Sequence, residues 1–91
     1  MNASASVTVS NPSGLHARPA SELARLAGSL SSTVRLTSGD RTIDAASVLS
    51  VMGLAVQAGQ TVTIECEGEQ ADQDLATVVE AFTNGLGEVH A

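Results

Sequence analysis

The chain has 91 residues, which is the size of one domain and enough to bury about 60–65% of the surface that the unfolded chain exposes. Its net charge of −6, with four arginines and no lysine, argues against nucleic acid and anionic membrane surfaces as partners. No apolar run is long enough for membrane insertion, and the first residues lack the charge and the apolar segment of a secretory signal, so we expect one cytoplasmic domain whose chemistry takes place at its surface.

The first half of the chain predicts a strand, a helix and a hairpin. Residues 4–10 alternate between small polar and apolar side chains, which is typical of a half-buried strand. Turn residues follow at 11–14, and a helix then extends to about 28–32, with Pro19 in its first turn, where the missing N–H breaks no helical bond. The apolar residues on one face of this helix are Ala20, Leu23, Ala24, Ala27 and Leu30. Two short strands at 33–37 and 41–44 form the hairpin.

The second half predicts a short helix, a fourth strand and a long helix. Ser47 is a favourable N-cap for the helix at 47–53. In the strand at 61–67, Cys66 points inward, so we expect the single cysteine to be a buried apolar residue, and alone it can form no internal disulfide. The last helix begins near Ala71 and stops in the glycine-containing segment 84–87, and residues 88–91 are expected to form a mobile tail.

The order of these elements is βαββαβα. Because the strands are short and alternate, one face of their sheet should be solvated while helices cover the other, which describes an α+β domain of two layers. Acidic residues concentrate at 65–74, where we expect a solvated surface and a negatively charged helix start.

One histidine lies where a histidine is unusual. His16 falls at or just before the N-terminus of the first predicted helix, where Ser, Thr, Asp or Asn would cap better. Free N–H groups and the positive dipole end favour an anion there, and an unprotonated imidazole nitrogen is a nucleophile. Arg18 adds a permanently charged fork suited to phosphoryl oxygens. These residues predict a histidine that accepts and transfers a phosphoryl group, with no cofactor, no metal and no second acid or base nearby to activate water.

Residues 14–20, GLHARPA, resemble the active-site signature of HPr, the histidine-containing phosphocarrier family of the bacterial phosphotransferase system. Two further stretches match in order: 46–54, which resembles the regulatory-serine segment, and 59–64 with Glu-Gly-Glu behind it at 67–69. The resemblance extends from Val7 to about Phe82. It implies an HPr-like open-faced β-sandwich, a four-stranded antiparallel sheet covered on one face by three helices. It also implies a carrier that is a phosphoryl-transfer intermediate and not a self-contained enzyme.

The resemblance implies a role for each residue of the signature. His16 would accept the phosphoryl group on Nδ1 from phosphorylated enzyme I and pass it to IIA domains of sugar permeases. Arg18 would stabilise the phosphoryl group, with the backbone N–H groups of Ala17 and Arg18 near its oxygens and Ser13 and Gly14 supporting the loop. Relatives often have lysines around the active site that face an acidic surface of the phosphoryl donor. This chain has no lysine, so Arg18, Arg25 and Arg41 would take that role.

The resemblance also implies a partner surface and a regulatory position. Exposed apolar groups beside a reactive site suggest docking. The residues predicted to dock partners are Ala20, Val48, Leu49, Val51 and Met52. Ser47 matches the regulatory serine, which makes a serine kinase or a transcription regulator a further partner to test, although Ala45, Ala46 and Ser50 differ from some relatives.

Two alternatives stay open at this stage, beside a remote third, a small ligand-sensing α+β domain, which would need a pocket in place of an exposed histidine. The first is a regulatory binding module of the same fold that acts through Ser47. The second is a paralogue serving a nitrogen-related or dihydroxyacetone kinase phosphorelay, in which the chemistry of His16 would be the same. We expect a monomer, and we expect His90 in the tail to be inert.

Overall fold

The computed structural model describes residues 1–88, and its elements follow the predicted order. The strands and helices are β1 (Asn2–Thr8), α1 (Ala17–Ser29), β2 (Thr33–Ser38), β3 (Arg41–Asp44), α2 (Val48–Gly53), β4 (Thr61–Glu67) and α3 (Ala71–Thr83). Strand β1 begins two residues earlier than predicted because Asn2 and Ala3 already pair with Glu67 and Cys66. None of the helices in residues 1–88 has the length and apolarity needed to cross a bilayer.

The four strands form one antiparallel sheet in the order β1-β4-β2-β3. Strand β4 therefore lies between β1 and β2, and Ile64 in its middle faces Ala5 on one side and Leu36 on the other. The pairing of Thr8 with Thr61 brings the segment after β1 beside the segment before β4. The predicted fold class is confirmed, and this strand order sets the position of the loop that contains His16.

The core lies between the inner face of the sheet and the helices. Helix α3 packs on β1 and β4, and α1 packs against α2. Fully or almost fully buried side chains include Val9, Leu15, Leu23, Leu36, Val51, Ile64, Cys66, Val78 and Leu86. Cys66 is the buried apolar residue that we predicted, and burial raises the pKa of its thiol, with the charges of Asp74 and Glu65 adding to the effect.

The acidic residues at 65–74 divide into two groups. Glu65 and Glu67 lie on the solvated face of the sheet, where both pair with Arg35. The pKa of the Arg35 guanidinium is raised, mainly by its hydrogen bond to Glu67. Asp74 lies in the acidic first turn of α3, as we expected of the charged helix start, but the expectation that it is at the surface is wrong. It is buried and accepts a hydrogen bond from the Ser32 backbone N–H at 3.0 Å, which ties the α1–β2 connection to α3.

Candidate functional site

His16 is the N-cap residue of α1. Its backbone is extended, with φ −75° and ψ −169°, and its carbonyl oxygen accepts the first helical bond from the Ala20 N–H at 3.0 Å. Among the described residues, its side chain makes no capping bond to the helix. The ring therefore projects from the helix end, with 41% of the side chain exposed.

The start of α1 offers two backbone donors beside this ring. Ala17 and Arg18 are the first two helical residues, so their N–H groups have no intrahelical acceptor. Pro19, the third, has no N–H and lies in the first turn as predicted, and the structure shows that it is also buried. No acidic side chain occupies that turn, so the positive end of the helix dipole is not offset by a charge on the helix itself.

The loop before His16 is held by a close backbone contact with the segment before β4. Gly14 has φ +66°, and a Cβ built there would lie 2.1 Å from the Val56 carbonyl oxygen. The next residue, Leu15, donates its N–H to the same oxygen at 3.0 Å and buries its side chain. Gly14 also donates to the Asn11 carbonyl oxygen at 2.9 Å. The position of His16 is thus set by a contact that only glycine permits.

Glu88 contributes a carboxylate that sequence reasoning missed. Its Oε2 atom lies 2.8 Å from His16 Nε2, and its Oε1 atom accepts from Asn11 Nδ2 at 2.7 Å. We expected no second acid or base near His16 to activate water, and the structure places this carboxylate against the ring at Nε2, while the expectation of a mobile tail at residues 88–91 stays a prediction. Val89, His90 and Ala91 lie outside the described residues.

A sequence signal for this return of the chain does exist. After α3 ends, Gly85, Leu86 and Gly87 all have positive φ, which turns the chain back toward the β1–α1 loop. Leu86 is buried in the core, so the turn is anchored. An apolar residue between two glycines favours a chain reversal that is anchored in the core, but from this segment we predicted only the end of the helix.

Arg18 is exposed and lines a shallow surface depression of about 520 Å³. The depression is lined by Ala17, Arg18, Ser21, Glu22, Arg25, Leu86 and Gly87. Arg25 is paired with Glu22 one turn along the helix, and the hydrogen bond between them lowers the pKa of the Glu22 carboxyl and raises that of the guanidinium. Arg18 and Arg25 therefore face the same side of α1, and the charge of Arg25 is partly offset by Glu22.

Comparison with known proteins decides the family. The family model described as PTS HPr component phosphorylation site matches residues 3–84. The chain belongs to the HPr family. Phosphocarrier protein HPr of Cupriavidus necator is 37% identical over 81 residues, which cover 89% of this chain and 91% of that one. Phosphocarrier protein NPr of Shewanella violacea is 38% identical over 72 residues, which cover 79% of each chain.

The solved structures agree with this assignment. The crystal structure of an HPr from Thermoanaerobacter tengcongensis has a TM-score of 0.90 to this chain at 26% identity, and the match covers 97% of this chain and 99% of that one. The chain is therefore an HPr-type phosphocarrier of the phosphotransferase system, with the four-stranded open sheet and three helices of that family.

The docking surface expected from the family is smaller than we predicted. On α2, Leu49 is 81% exposed and Met52 is 40% exposed, while Val48 is half-buried. Ala20 and Val51 are fully buried, so neither can touch a partner in this conformation. The reason is geometric: α1 and α2 pack against each other, and these two residues face the core that the helices share.

Ser47 is the N-cap of α2, as predicted. Its hydroxyl oxygen accepts from the Ser50 backbone N–H at 3.2 Å, and the residue is half-buried. At the other end of the same helix, Arg41 donates from Nη1 to the Gly53 carbonyl oxygen at 2.8 Å. The family's regulatory position and one arginine thus flank the exposed apolar residues of α2 on opposite sides.

Proposed function

We propose that His16 is the phosphoryl acceptor of this phosphocarrier, receiving the group from phosphorylated enzyme I and passing it to IIA domains of sugar permeases. The observation that carries the proposal is the half-exposed imidazole at the N-cap of α1, beside the N–H groups of Ala17 and Arg18, which have no acceptor within the helix. Since Glu88 engages Nε2, the phosphoryl group would bond to Nδ1.

The transfer needs positioning and charge neutralisation more than covalent assistance. The lone pair of Nδ1 forms the new bond to phosphorus while the donor's bond to phosphorus breaks and its electron pair returns to the donor. The backbone N–H groups of Ala17 and Arg18 would then donate to the phosphoryl oxygens, and the Arg18 guanidinium would offset their charge. Each of these groups is available at the surface and needs no rearrangement of the core.

Partners would dock beside this site on the exposed apolar residues of α2. Leu49 and Met52 are the large apolar side chains available there, and Arg41 lies at the end of the same helix. Arg18 and Arg25 on α1 would face an acidic donor surface in place of lysines. An apolar centre with positive charge at its edge is suited to a transient partner, and the chain would act as a monomer.

The test is phosphoryl transfer in solution. Incubation with phosphoenolpyruvate and enzyme I, followed by mass spectrometry under alkaline conditions, should give one acid-labile, alkali-stable phosphoryl group. His16→Ala should abolish the adduct, while His90→Ala is the matched control and should retain it. Labelling of His16→Ala to the wild-type extent would contradict the proposal.

The second candidate is a carrier for a nitrogen-related branch of the same system. The similarity to the NPr of Shewanella violacea, at 38% identity, is as high as the similarity to the HPr of Cupriavidus necator. The chemistry of His16 would be unchanged, so the partners must distinguish the two. Comparing the transfer rates from the enzyme I of each branch decides between them, since the cognate donor should be the faster one.

Regulation through Ser47 is the remaining alternative. A phosphate at this N-cap would lie at the favourable end of the α2 dipole and would add charge beside Leu49 and Met52 without unwinding the helix. Incubation with ATP and a serine kinase, with Ser47→Ala as the control, tests this point. A purely regulatory module would show no adduct on His16 in the enzyme I assay.

A further inference from the structure

The carboxylate of Glu88 joins two residues of the β1–α1 loop. One oxygen accepts from Asn11 Nδ2 at 2.7 Å, and the other lies 2.8 Å from His16 Nε2. The side chain of Glu88 is 19% exposed, and its backbone N–H donates to the Gly85 carbonyl oxygen at 3.0 Å. Glu88 is thus held from both its backbone and its side chain.

The orientation of the Asn11 amide is determined by a neighbouring carbonyl group. Asn11 is fully buried, and its Nδ2 atom lies 2.9 Å from the Gly85 carbonyl oxygen, which can only accept. The nitrogen of the amide must therefore face that oxygen, and its second hydrogen is directed to Glu88 Oε1. Asn11 consequently requires an acceptor at the position that Oε1 occupies.

The contact with Glu88 also determines which ring nitrogen of His16 carries the proton. An ionised carboxylate can only accept, so the nitrogen that contacts Glu88 Oε2 must carry a hydrogen. In the neutral ring the proton is then on Nε2, and the lone pair is on Nδ1. This is the tautomer in which Nδ1 can attack phosphorus without first losing a proton.

We propose that Glu88 is a positioning residue for phosphoryl transfer, which holds the His16 ring in the Nε2–H tautomer and keeps that proton in place when Nδ1 is phosphorylated. This inference rests on the proposed role of His16. In the accepting step the Nδ1 lone pair bonds to phosphorus, the donor's bond to phosphorus breaks, and no proton leaves His16. The phosphorylated ring then carries a formal positive charge that the carboxylate faces.

The reverse step gains from the same contact. When the phosphoryl group moves to an acceptor, the electron pair of the P–Nδ1 bond stays on the ring, which departs as neutral imidazole because Nε2 has kept its proton. Without that proton the leaving group would be an imidazolate anion, which is much less stable. Among residues 1–88, Arg18, Glu22 and Arg25 are the charged residues that line the depression beside Gly87.

The contacts of Glu88 with Asn11 and His16 determine how a glutamine at position 88 must be oriented. In Glu88→Gln the single amide oxygen must accept from Asn11, because Asn11 presents an N–H there. The new NH₂ group then faces His16 Nε2 and donates to it, which moves the ring proton to Nδ1 and blocks the nucleophile. In Glu88→Ala both ring nitrogens of His16 contact water, so the preference for the Nε2–H tautomer is weakened but not reversed. Glutamine is closer in shape to glutamate than alanine is, but Glu88→Gln should therefore slow phosphoryl transfer more than Glu88→Ala.

The first measurement needs no partner protein. The ¹⁵N chemical shifts of the His16 ring, recorded in the neutral form, should report the Nε2–H tautomer in wild type, a mixture in Glu88→Ala and the Nδ1–H tautomer in Glu88→Gln. Glu69→Gln removes the same charge from an exposed loop beyond the far end of β4 and should resemble wild type. A wild-type tautomer in Glu88→Gln would overturn the inference.

The second measurement is the rate of phosphorylation by enzyme I. Glu88→Gln should be slower than wild type on the order of tenfold, the lower end of the loss that follows when the partner fixing a metal-binding histidine's tautomer and ring orientation is replaced. Glu88→Ala should be slowed less, and Glu69→Gln not at all. If Glu88 has a merely structural role, Gln will be tolerated better than Ala, and this order would overturn the inference. Absence of phosphorylation in wild type would instead refute the role of His16 and leave the tautomer result to decide the assignment for Glu88.

Discussion

The contact between Gly14 and the segment before β4 can be tested by adding a single methyl group. In Gly14→Ala the new Cβ would lie 2.1 Å from the Val56 carbonyl oxygen and 2.9 Å from the Cα atom of Gln57. Both atoms belong to the backbone, so neither can rotate away as the end of a side chain would. The β1–α1 loop must therefore move, and His16 must move with it.

The matched control is Gly39→Ala in the β2–β3 turn. Gly39 has φ +62°, close to the +66° of Gly14, but a Cβ there would have no neighbour within 4 Å. An L residue in this region costs about 1–2 kcal/mol. The penalty, like the effect of the substitution on the unfolded chain, is shared by both variants. The difference in the free energy of unfolding between the two variants therefore reports the clash of the new Cβ with the backbone of Val56 and Gln57.

The magnitude of that difference follows from what the moving loop loses. Displacing the loop breaks the bond from the Leu15 N–H to the Val56 carbonyl oxygen, which contributes about 1 kcal/mol. Forcing an extra methyl group into a packed contact costs about 1–3 kcal/mol more. We expect Gly14→Ala to lower the free energy of unfolding by about 2–4 kcal/mol beyond the effect of Gly39→Ala.

Urea denaturation followed by far-UV circular dichroism measures this difference, provided that the two variants have equal m values. The rate of phosphorylation by enzyme I should be reduced in Gly14→Ala under conditions where the variant is folded, and unchanged in Gly39→Ala. Equal unfolding free energies for the two variants, within about 0.5 kcal/mol, would refute the argument that backbone contact with Val56 positions the loop.

Three further outcomes are expected. Leu49→Ser should slow transfer from enzyme I without shifting the urea midpoint, because the side chain is 81% exposed, and an unchanged rate would contradict a docking role. Asp74→Ala should lower the free energy of unfolding by about 1–3 kcal/mol, since it leaves the buried Ser32 N–H without its acceptor, and a loss below about 0.5 kcal/mol would contradict this. The Glu22 carboxyl should titrate below its ordinary pKa in an NMR pH series and return toward it in Arg25→Gln. Because the folded pKa is the lower one, the contribution to stability is present above the ordinary pKa and lost as the pH falls through the folded pKa, and identical titration in both proteins would refute the pairing.

The sequence pattern predicted the elements well because the strands are short and alternate clearly. Strand β3 and the starts of β4 and α3 were located to the residue, and the N-cap role of Ser47 is confirmed. The strand order comes from the family resemblance. An alternating pattern indicates which face of a strand is apolar, but it does not indicate which other strand pairs with it. Helix α2 was the least predictable, because apolar residues surround so short a helix and only packing decides which are buried.

The reactive residues were predictable from local sequence, but the residues that support them were not. His16, Arg18 and Gly14 lie within five positions of one another, so one stretch contains the signal. Glu88 reaches His16 across 72 positions, through a turn whose glycines indicated only the end of α3. Asp74 was misassigned for a similar reason: its acceptor role depends on Ser32, which comes 42 positions earlier.

The position of Glu88 also bears on why a carrier can have a carboxylate beside its histidine without becoming a phosphatase. A carboxylate within reach of an attacking water could act as a general base and lead to loss of the phosphoryl group. Glu88 contacts Nε2, on the opposite edge of the ring from Nδ1, and both its oxygens already face donors, on Asn11 and on His16. A phosphoryl group on Nδ1 would therefore be separated from the carboxylate by the imidazole itself. The same contact that would prepare Nδ1 for attack on phosphorus would keep the nearest described base directed away from water at the phosphorus atom.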